Sequence, residues 1–465
     1  MSTDRTPRDP GSSPDSPRGL RAWLGTGPWA KLQGIVVAGS AGEGLMLATM
    51  PLLAVTVTTD PQAVSLVSVV GQSPWLLLSL LAGLLVDRVR RTSVLMYAYA
   101  VQVAAAAALA IVATSDALTL PLLMCVAFAI TSAQVLSDGA SGALLPTIMA
   151  RDDLPAANAR LQVIDRGLVQ FVVPPSAGAV LAIGLGAPAW AACAMALLAL
   201  LLSARLRTAV EPKAAVESSA AAERGPAAAR EPGARGNPLR DIVEGLRYLV
   251  AAPLLRSVTI TVALGSFASS GVTTMLVLYA TEELGVGRFG YGALLGCFAV
   301  GWVVTSLFVD RLVARFGYAW AMRCAQTTAA VTPVLIAVAP PWPMFVGAVL
   351  VAQSSAVLVW NVCSQSTRQR FTPNRLLGRV LTSHKALAWG LTPLGALMGG
   401  FVAAQWNLRG VWWIAAIIHA VGAVTVWRTM TPAAFRQTEH DHESGRAQGD
   451  DSEGGHREDG TEARA

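Results

Sequence analysis

Charge is scarce in this chain. Only 14% of its 465 residues are charged, against about a quarter in a soluble domain, and lysine is nearly missing, with 3 Lys beside 32 Arg. A soluble globular protein is therefore excluded. Cysteine is also sparse: Cys125, Cys193, Cys297, Cys324 and Cys363 all lie in apolar stretches, at no metal-ligand spacing, and read as small buried hydrophobes. No phosphate-binding glycine loop, zinc-ligand spacing or nucleophile elbow occurs, so neither ATP drive nor an enzyme is indicated. Residues 1–27 are rich in Ser, Pro, Asp and Arg without the apolar core of a signal peptide, and read as a disordered leader.

What is abundant is apolar surface. The chain is 53% hydrophobic with mean hydropathy +0.51, arranged in runs of about 20 residues that do not alternate, which is helix patterning and not barrel patterning. Twelve spans are expected, at 32–55, 62–86, 93–113, 118–140, 160–184, 186–206, 255–281, 289–310, 318–338, 343–366, 379–402 and 409–430. The chain divides into a leader (1–31), a six-helix half (32–206), a hydrophilic linker (207–254), a second six-helix half (255–430) and an acidic tail (431–465). Within the linker, Leu239, Ile242, Val243, Leu246, Leu249 and Val250 fall at helical spacing, and a helix on the membrane surface is expected. In the tail, His440-Asp441-His442-Glu443 reads as solvated chain rather than a metal site. With the N-terminus inside, only Arg288 and Arg409 of the 35 basic residues fall in outer loops. The positive-inside rule then places both termini in the cytoplasm.

The halves repeat. The second span ends in Val86-Asp87-Arg88-Val89-Arg90-Arg91, and the eighth in Val309-Asp310-Arg311. The fifth carries Pro174-Pro175-Ser176-Ala177-Gly178, and the eleventh Pro393-Leu394-Gly395 with Gly399-Gly400. Proline removes a backbone donor and glycine permits close approach, so both spans are expected to bend. Two homologous halves with a midplane site are the plan of secondary transporters.

The stretch Gly83-Leu84-Leu85-Val86-Asp87-Arg88-Val89-Arg90-Arg91-Thr92-Ser93-Val94-Leu95 resembles the signature of the major facilitator superfamily at the second-to-third connection. Arg90 stands where that signature has Gly and Thr92 where it has Lys. Gly42-Glu43-Gly44, Ala143-Leu144-Leu145-Pro146 with Asp153-Leu154-Pro155, and Leu377-Gly378-Arg379-Val380 are similar to the branch of the enterobactin exporter and the macrolide-efflux permeases. The resemblance implies an all-α integral membrane protein with twelve helices in two pseudo-symmetric halves. It also implies a conformational latch between them. Gly83, Asp87 and Arg88 would belong to it, with Asp87 against the N-terminal end of the eleventh span; Arg91 would pair with Asp138 of the fourth, and Asp310 with Arg311 would form the weaker counterpart. The fifth-span motif partly resembles that of drug–proton antiporters, with Pro174 where Gly is usual; the fourth span lacks the arginine that many proton-coupled members carry.

Glu43 is the sharpest single candidate. It lies about 18 Å into the first span at 1.5 Å per residue, near the bilayer middle, where an ionised carboxylate is costly and normally functional. Coupling by proton transfer or contact with a cationic cargo is expected of it. Asp165 and Arg166, at the inner start of the fifth span, read as interfacial anchors, as do His384 and Lys385. His419 reads as a packing residue. Candidate cavity residues are Met46, Gln72, Gln102, Ser269, Thr273, Gln353, Trp360 and Asn361, since polar and aromatic groups in apolar helices bind either cargo or neighbouring helices.

The expected function is secondary active export of an amphipathic small molecule (a drug, siderophore or secondary metabolite) by proton antiport. The expected setting is a bacterial plasma membrane. The proton gradient serves as energy source, no cofactor is needed, and the partners are cargo and lipid, not nucleic acid. A monomer is expected. A proton-coupled importer of the same fold is the alternative, and a non-transporting membrane receptor or assembly factor a more distant one.

Overall fold

The computed structural model describes residues 27–115, 117–149, 153–223 and 238–439. The first half comprises α1 (Pro28–Val57), α2 (Pro61–Arg88), α3 (Arg91–Thr114), α4 (Leu120–Ile148), the pair α5 (Leu154–Gly167) and α6 (Pro174–Ile183), and α7 (Ala187–Glu223). A linker helix α8 (Pro238–Ala251) follows. The second half comprises α9 (Pro253–Leu278), α10 (Arg288–Ser306), α11 (Val309–Val338), α12 (Pro343–Arg370), the pair α13 (Asn374–Gly390) and α14 (Thr392–Gln405), and α15 (Leu408–Thr429). Among the described residues, ten helices are long and apolar enough to cross a membrane, and α5 with α6, bent by 46°, can form an eleventh crossing. The 28-residue α2 makes the set consistent with twelve.

Local chemistry sets the helix ends. Pro28, Pro121, Pro174, Pro253, Pro343 and Pro393 stand in first turns, where a missing N–H costs nothing. Asn407 caps α15, its Oδ1 accepting from the Gly410 N–H at 2.7 Å, which satisfies one of the free donors of the first turn. The bend between α5 and α6 follows from Pro174 and Pro175, which cannot donate to the preceding turn. The ladder shifts into a π turn at Leu168–Val172, with the Val173 N–H on the Leu168 carbonyl at 3.2 Å. In α11, Gly317 takes φ +77°, a conformation L side chains rarely adopt, and splits off a short segment, 309–316.

The two halves pack alike. In the first, α1 packs on α7, α2 on α4, and α3 on both α4 and α7; in the second, α9 packs on α15, α10 on α12, and α11 on both α12 and α15. Between halves, α2 packs on α14 and α10 on α6, so the second span of each half meets the fifth span of the other. Glycine makes both crossings close. A side chain at Gly178 would run into the Arg288 carbonyl, and one at Gly400 into Ser65.

One apolar cluster joins both halves at the end of the bundle away from the chain termini. It includes Leu53, Val64, Leu109 and Leu181 from the first half and Leu278, Tyr291, Leu350 and Val411 from the second. At the end that bears the termini the cores are separate, Leu32, Leu95 and Leu145 in one half and Leu255, Met322 and Val380 in the other. Among the described residues, the halves are therefore closed at the far end and parted at the terminal end.

Several expected boundaries move. Helix α1 starts at Pro28, α4 continues to Ile148, and α7 runs to Glu223; the last extension is alanine-rich (Ala209, Ala214, Ala215, Ala220 to Ala222), and alanine is the strongest helix former. The tail begins as helix at 432–439, where Phe435 stacks on Tyr318 and Phe371 at centroid distances of 6.4 and 6.2 Å. The His440 to Glu443 cluster lies outside the described residues. The linker helix does not rest on lipid alone. Gly245 lies against α13 at Arg379 and Ser383, Glu244 pairs with Arg379 at 2.8 Å, and Val243, Leu246 and Val250 remain exposed.

Candidate functional site

Glu43 sits at the middle of α1 between two glycines that let the helix be gripped from both sides. Gly42 faces Ala192 and Met195 of α7, and Gly44 faces the π turn, with Val169 at 3.0 Å from its virtual Cβ. Glu43 as a residue is half-buried, while Leu47, one turn on, is 60% exposed. Along the same face, Ser40 Oγ donates to Asp165 Oδ1 of α5 at 2.7 Å, and the Tyr99 hydroxyl of α3 packs on Gly39. The charges of Asp138 and Asp165 both act on Glu43.

A chain of amides continues from there. Gln102 Nε2 of α3 donates to Gln134 Oε1 of α4 at 3.1 Å, and Gln134 Nε2 donates to Asp138 Oδ1 at 3.0 Å. The Tyr99 hydroxyl donates to the Ile35 carbonyl of α1 at 3.5 Å, and Ser137 Oγ to the Gln134 carbonyl at 3.0 Å. Three acids from α1, α4 and α5 thus gather in the first half, Asp165 bonded to α1, Asp138 to the amide chain, and Glu43 in the field of both. Glu43 and Asp165 are half-buried and Asp138 is exposed, so the repulsion falls on the two less solvated groups, and a proton or a cation relieves it.

The expected residues divide into those brought together and those not. Asp138 joins Glu43, while Arg91 reaches another part of α4. Arg91 Nη1 donates to the Ala143 carbonyl at 2.8 Å, further along α4, where Pro146 loosens the turn. The backbone of α2 passes through Gly83, Asp87 and Arg88, whose side chains lie outside the described residues. Asp310 and Arg311 are exposed on the 309–316 segment. Pro174, Pro175 and Gly178 lie at the α5–α6 bend and its contact with α10, where a Cβ at Gly292 would lie 3.1 Å from the Pro175 carbonyl. Pro393 and Gly395 open α14, and Gly395 abuts the Phe267 carbonyl of α9.

Among the cavity candidates, Met46 and Trp360 are packed into apolar cores, a correction whose cause is the close packing of α1 and α12 on their neighbours. Gln102 is buried in the amide chain, and Gln353 accepts from Thr332 Oγ1, so both serve helix contacts here. Thr273 and Asn361 are exposed, and Gln72 and Ser269 half-buried. Asp165, read as an interfacial anchor, instead bonds α1, and Gln134 was missed. Its signal was the four-residue spacing to Asp138 in an otherwise apolar helix, which puts both on one face.

Two pseudo-symmetric half-bundles, a central polar network and a closure at one end define a membrane transporter of the major facilitator type. By sequence, residues 36–448 match the family model described as transmembrane secretion effector, and the chain belongs to that family of multi-pass integral membrane proteins. It is 31% identical over 176 residues to the multidrug efflux pump Tap of Mycolicibacterium fortuitum, a match that covers 35% of this chain and 39% of that relative. The fold is similar to that of a bacterial homologue of the iron transporter ferroportin in its inward-facing state, with TM-score 0.65, 14% identity, and 87% and 98% of the two chains covered. The outward-facing state of that homologue gives 0.55, at 14% identity over 87% and 99%. A bacterial homologue of the lysosomal transporter Spinster, inward-facing and occupied, gives 0.64 at 12% identity over 87% and 97%.

Proposed function

We propose that this transporter exports an amphipathic small molecule in exchange for protons, with Glu43 as the coupling group. The observation that carries the reading is the placement of Glu43 at the middle of α1, in the field of Asp138 and Asp165, in a bundle whose halves are parted at one end. A proton and a cationic or polar cargo group compete for the same negative field. Release of one favours binding of the other, and the two half-bundles rock between states that each occupant biases. The partial match to an efflux pump supports the outward direction.

The positive-inside asymmetry supports a cytoplasmic location for both termini. The parted end then faces the cytoplasm, where an exporter collects cargo. The setting is a bacterial plasma membrane and the energy source the proton gradient. The partners are cargo and lipid, and the working unit is a monomer without a cofactor.

The test is proton release from everted vesicles with an acid interior, challenged with a panel of amphipathic drugs. An accepted cargo collapses the pH gradient in the wild type, and Glu43→Gln abolishes that collapse. Cargo accumulation confined to right-side-out vesicles reverses the direction. Unchanged proton release in Glu43→Gln removes Glu43 from coupling.

A further inference from the structure

The second half holds a positive counterpart to the acids of the first. Arg368, near the end of α12, and His384, midway along α13, are each only 8% exposed. Arg368 Nη1 donates to Ser364 Oγ one turn back. Its Nε and the His384 Nδ1 are buried without a hydrogen-bond partner among the described residues. The two groups are close enough for the arginine charge to act on the imidazole. No acid is paired with either among the described residues. A buried guanidinium with an idle donor is costly unless an anion completes it.

The pair has an approach. Asn361, Gln365 and Arg368 recur at four and three residues on α12 and so lie on one face. Asn361 and Gln365 are exposed, and exposed amides in a membrane-spanning helix face water rather than lipid. That polar stripe leads along α12 to Arg368.

We propose that Arg368 and His384 form a receptor for a carboxylate on the transported molecule. The inference rests on the proposed export reading for its cargo. It narrows that cargo to amphipathic molecules that bear an acid. Arg368 offers Nε and a second guanidinium edge, the geometry that suits a two-point carboxylate contact. His384 adds a donor when its Nδ1 carries the proton, and Ser364 holds the guanidinium in place. An acid of this chain that swings in on closure offers the same chemistry, and the experiment separates the two sources.

The test is equilibrium binding to the purified full-length protein in lipid nanodiscs, by calorimetry, with benzoate, methyl benzoate and benzylammonium as probes. Benzoate should bind and the ester should not, and Arg368→Gln should weaken benzoate by about tenfold or more, the scale of a lost charge-assisted contact. Arg368→Lys should recover part of the affinity, and the melting temperature of each variant shows that it is folded. Equal binding of benzoate and its ester, or benzoate affinity untouched by Arg368→Gln in a folded variant, overturns the proposal. So does absence of benzoate binding in the wild type together with one shared transport defect in Arg368→Gln and Asp87→Asn, which assigns the cation to an internal acid. Benzoate binding that depends on Arg368 but survives Glu43→Gln supports the site even where the vesicle experiment reverses the transport direction.

Discussion

A serine hydroxyl decides how the acids of the first half are arranged. Ser40 bonds Asp165 across 125 residues of sequence at 2.7 Å and so ties the α5 carboxylate to the turn of α1 that precedes Glu43. A hydrogen bond to a charged group contributes roughly 1.5–3 kcal/mol. Ser40→Ala should therefore lower the melting temperature of the detergent-purified protein by several degrees and alter drug-induced proton release, while the set of accepted drugs stays the same. Normal stability with normal proton release would show that the network does not matter to the cycle. Glu43 itself was legible in the sequence, because an acid inside an apolar run has no inexpensive bland explanation. Asp165 was not. Its place beside Arg166 at the inner start of the fifth span suggested an interfacial anchor, and only the packing of α5 on α1 reveals its partner.

At the scale of elements, α8 shows how packing and charge differ in weight. Its ion pair with α13, Glu244 to Arg379 at 2.8 Å, joins side chains that are 44% and 40% exposed, and such pairs contribute at most about 1 kcal/mol. Gly245, by contrast, presses its backbone on Arg379 and Ser383, where no larger side chain fits without displacing the helix. Gly245→Leu should release α8 and let its backbone unwind into the trypsin site at the exposed Arg247, with cleavage at least tenfold faster, about 1.4 kcal/mol of lost docking. Glu244→Gln should change the cleavage rate by less than about fivefold. If both variants release α8 equally, the ion pair and not the backbone contact holds it. The amphipathic period of this helix could be read from Leu239 to Val250, but its partner could not. A stripe of Val and Leu fits a lipid surface and a neighbouring helix equally well, and here it serves both, with Leu249 buried and Val243, Leu246 and Val250 exposed.

At the scale of the whole molecule, the pseudo-symmetry was legible because the two Asp-Arg hairpins and the two Pro-Gly spans repeat in sequence. The conformational state was not, since one sequence encodes both ends of a transport cycle and only the packing of a given state distinguishes them. In this state the far end is shut by α2 on α14 and by α6 on α10, with glycine at each crossing. Opening toward that end has to part Ser65 from Gly400, whose Cβ positions crowd one another. A disulfide there needs a Cβ separation of about 3.8 Å, which a small separation of the helices provides. With the five free cysteines, Cys125, Cys193, Cys297, Cys324 and Cys363, replaced by serine or alanine, the double variant Ser65→Cys with Gly400→Cys should cross-link on oxidation. Transport in vesicles should then fall at least tenfold and recover on reduction, because the barrier no longer opens. Probe binding from the parted end should persist in the cross-linked protein, since that end is already open. Full transport by the oxidised, cross-linked protein would mean that the two halves do not rock about this contact, and the cycle would have to proceed by local gating within one half.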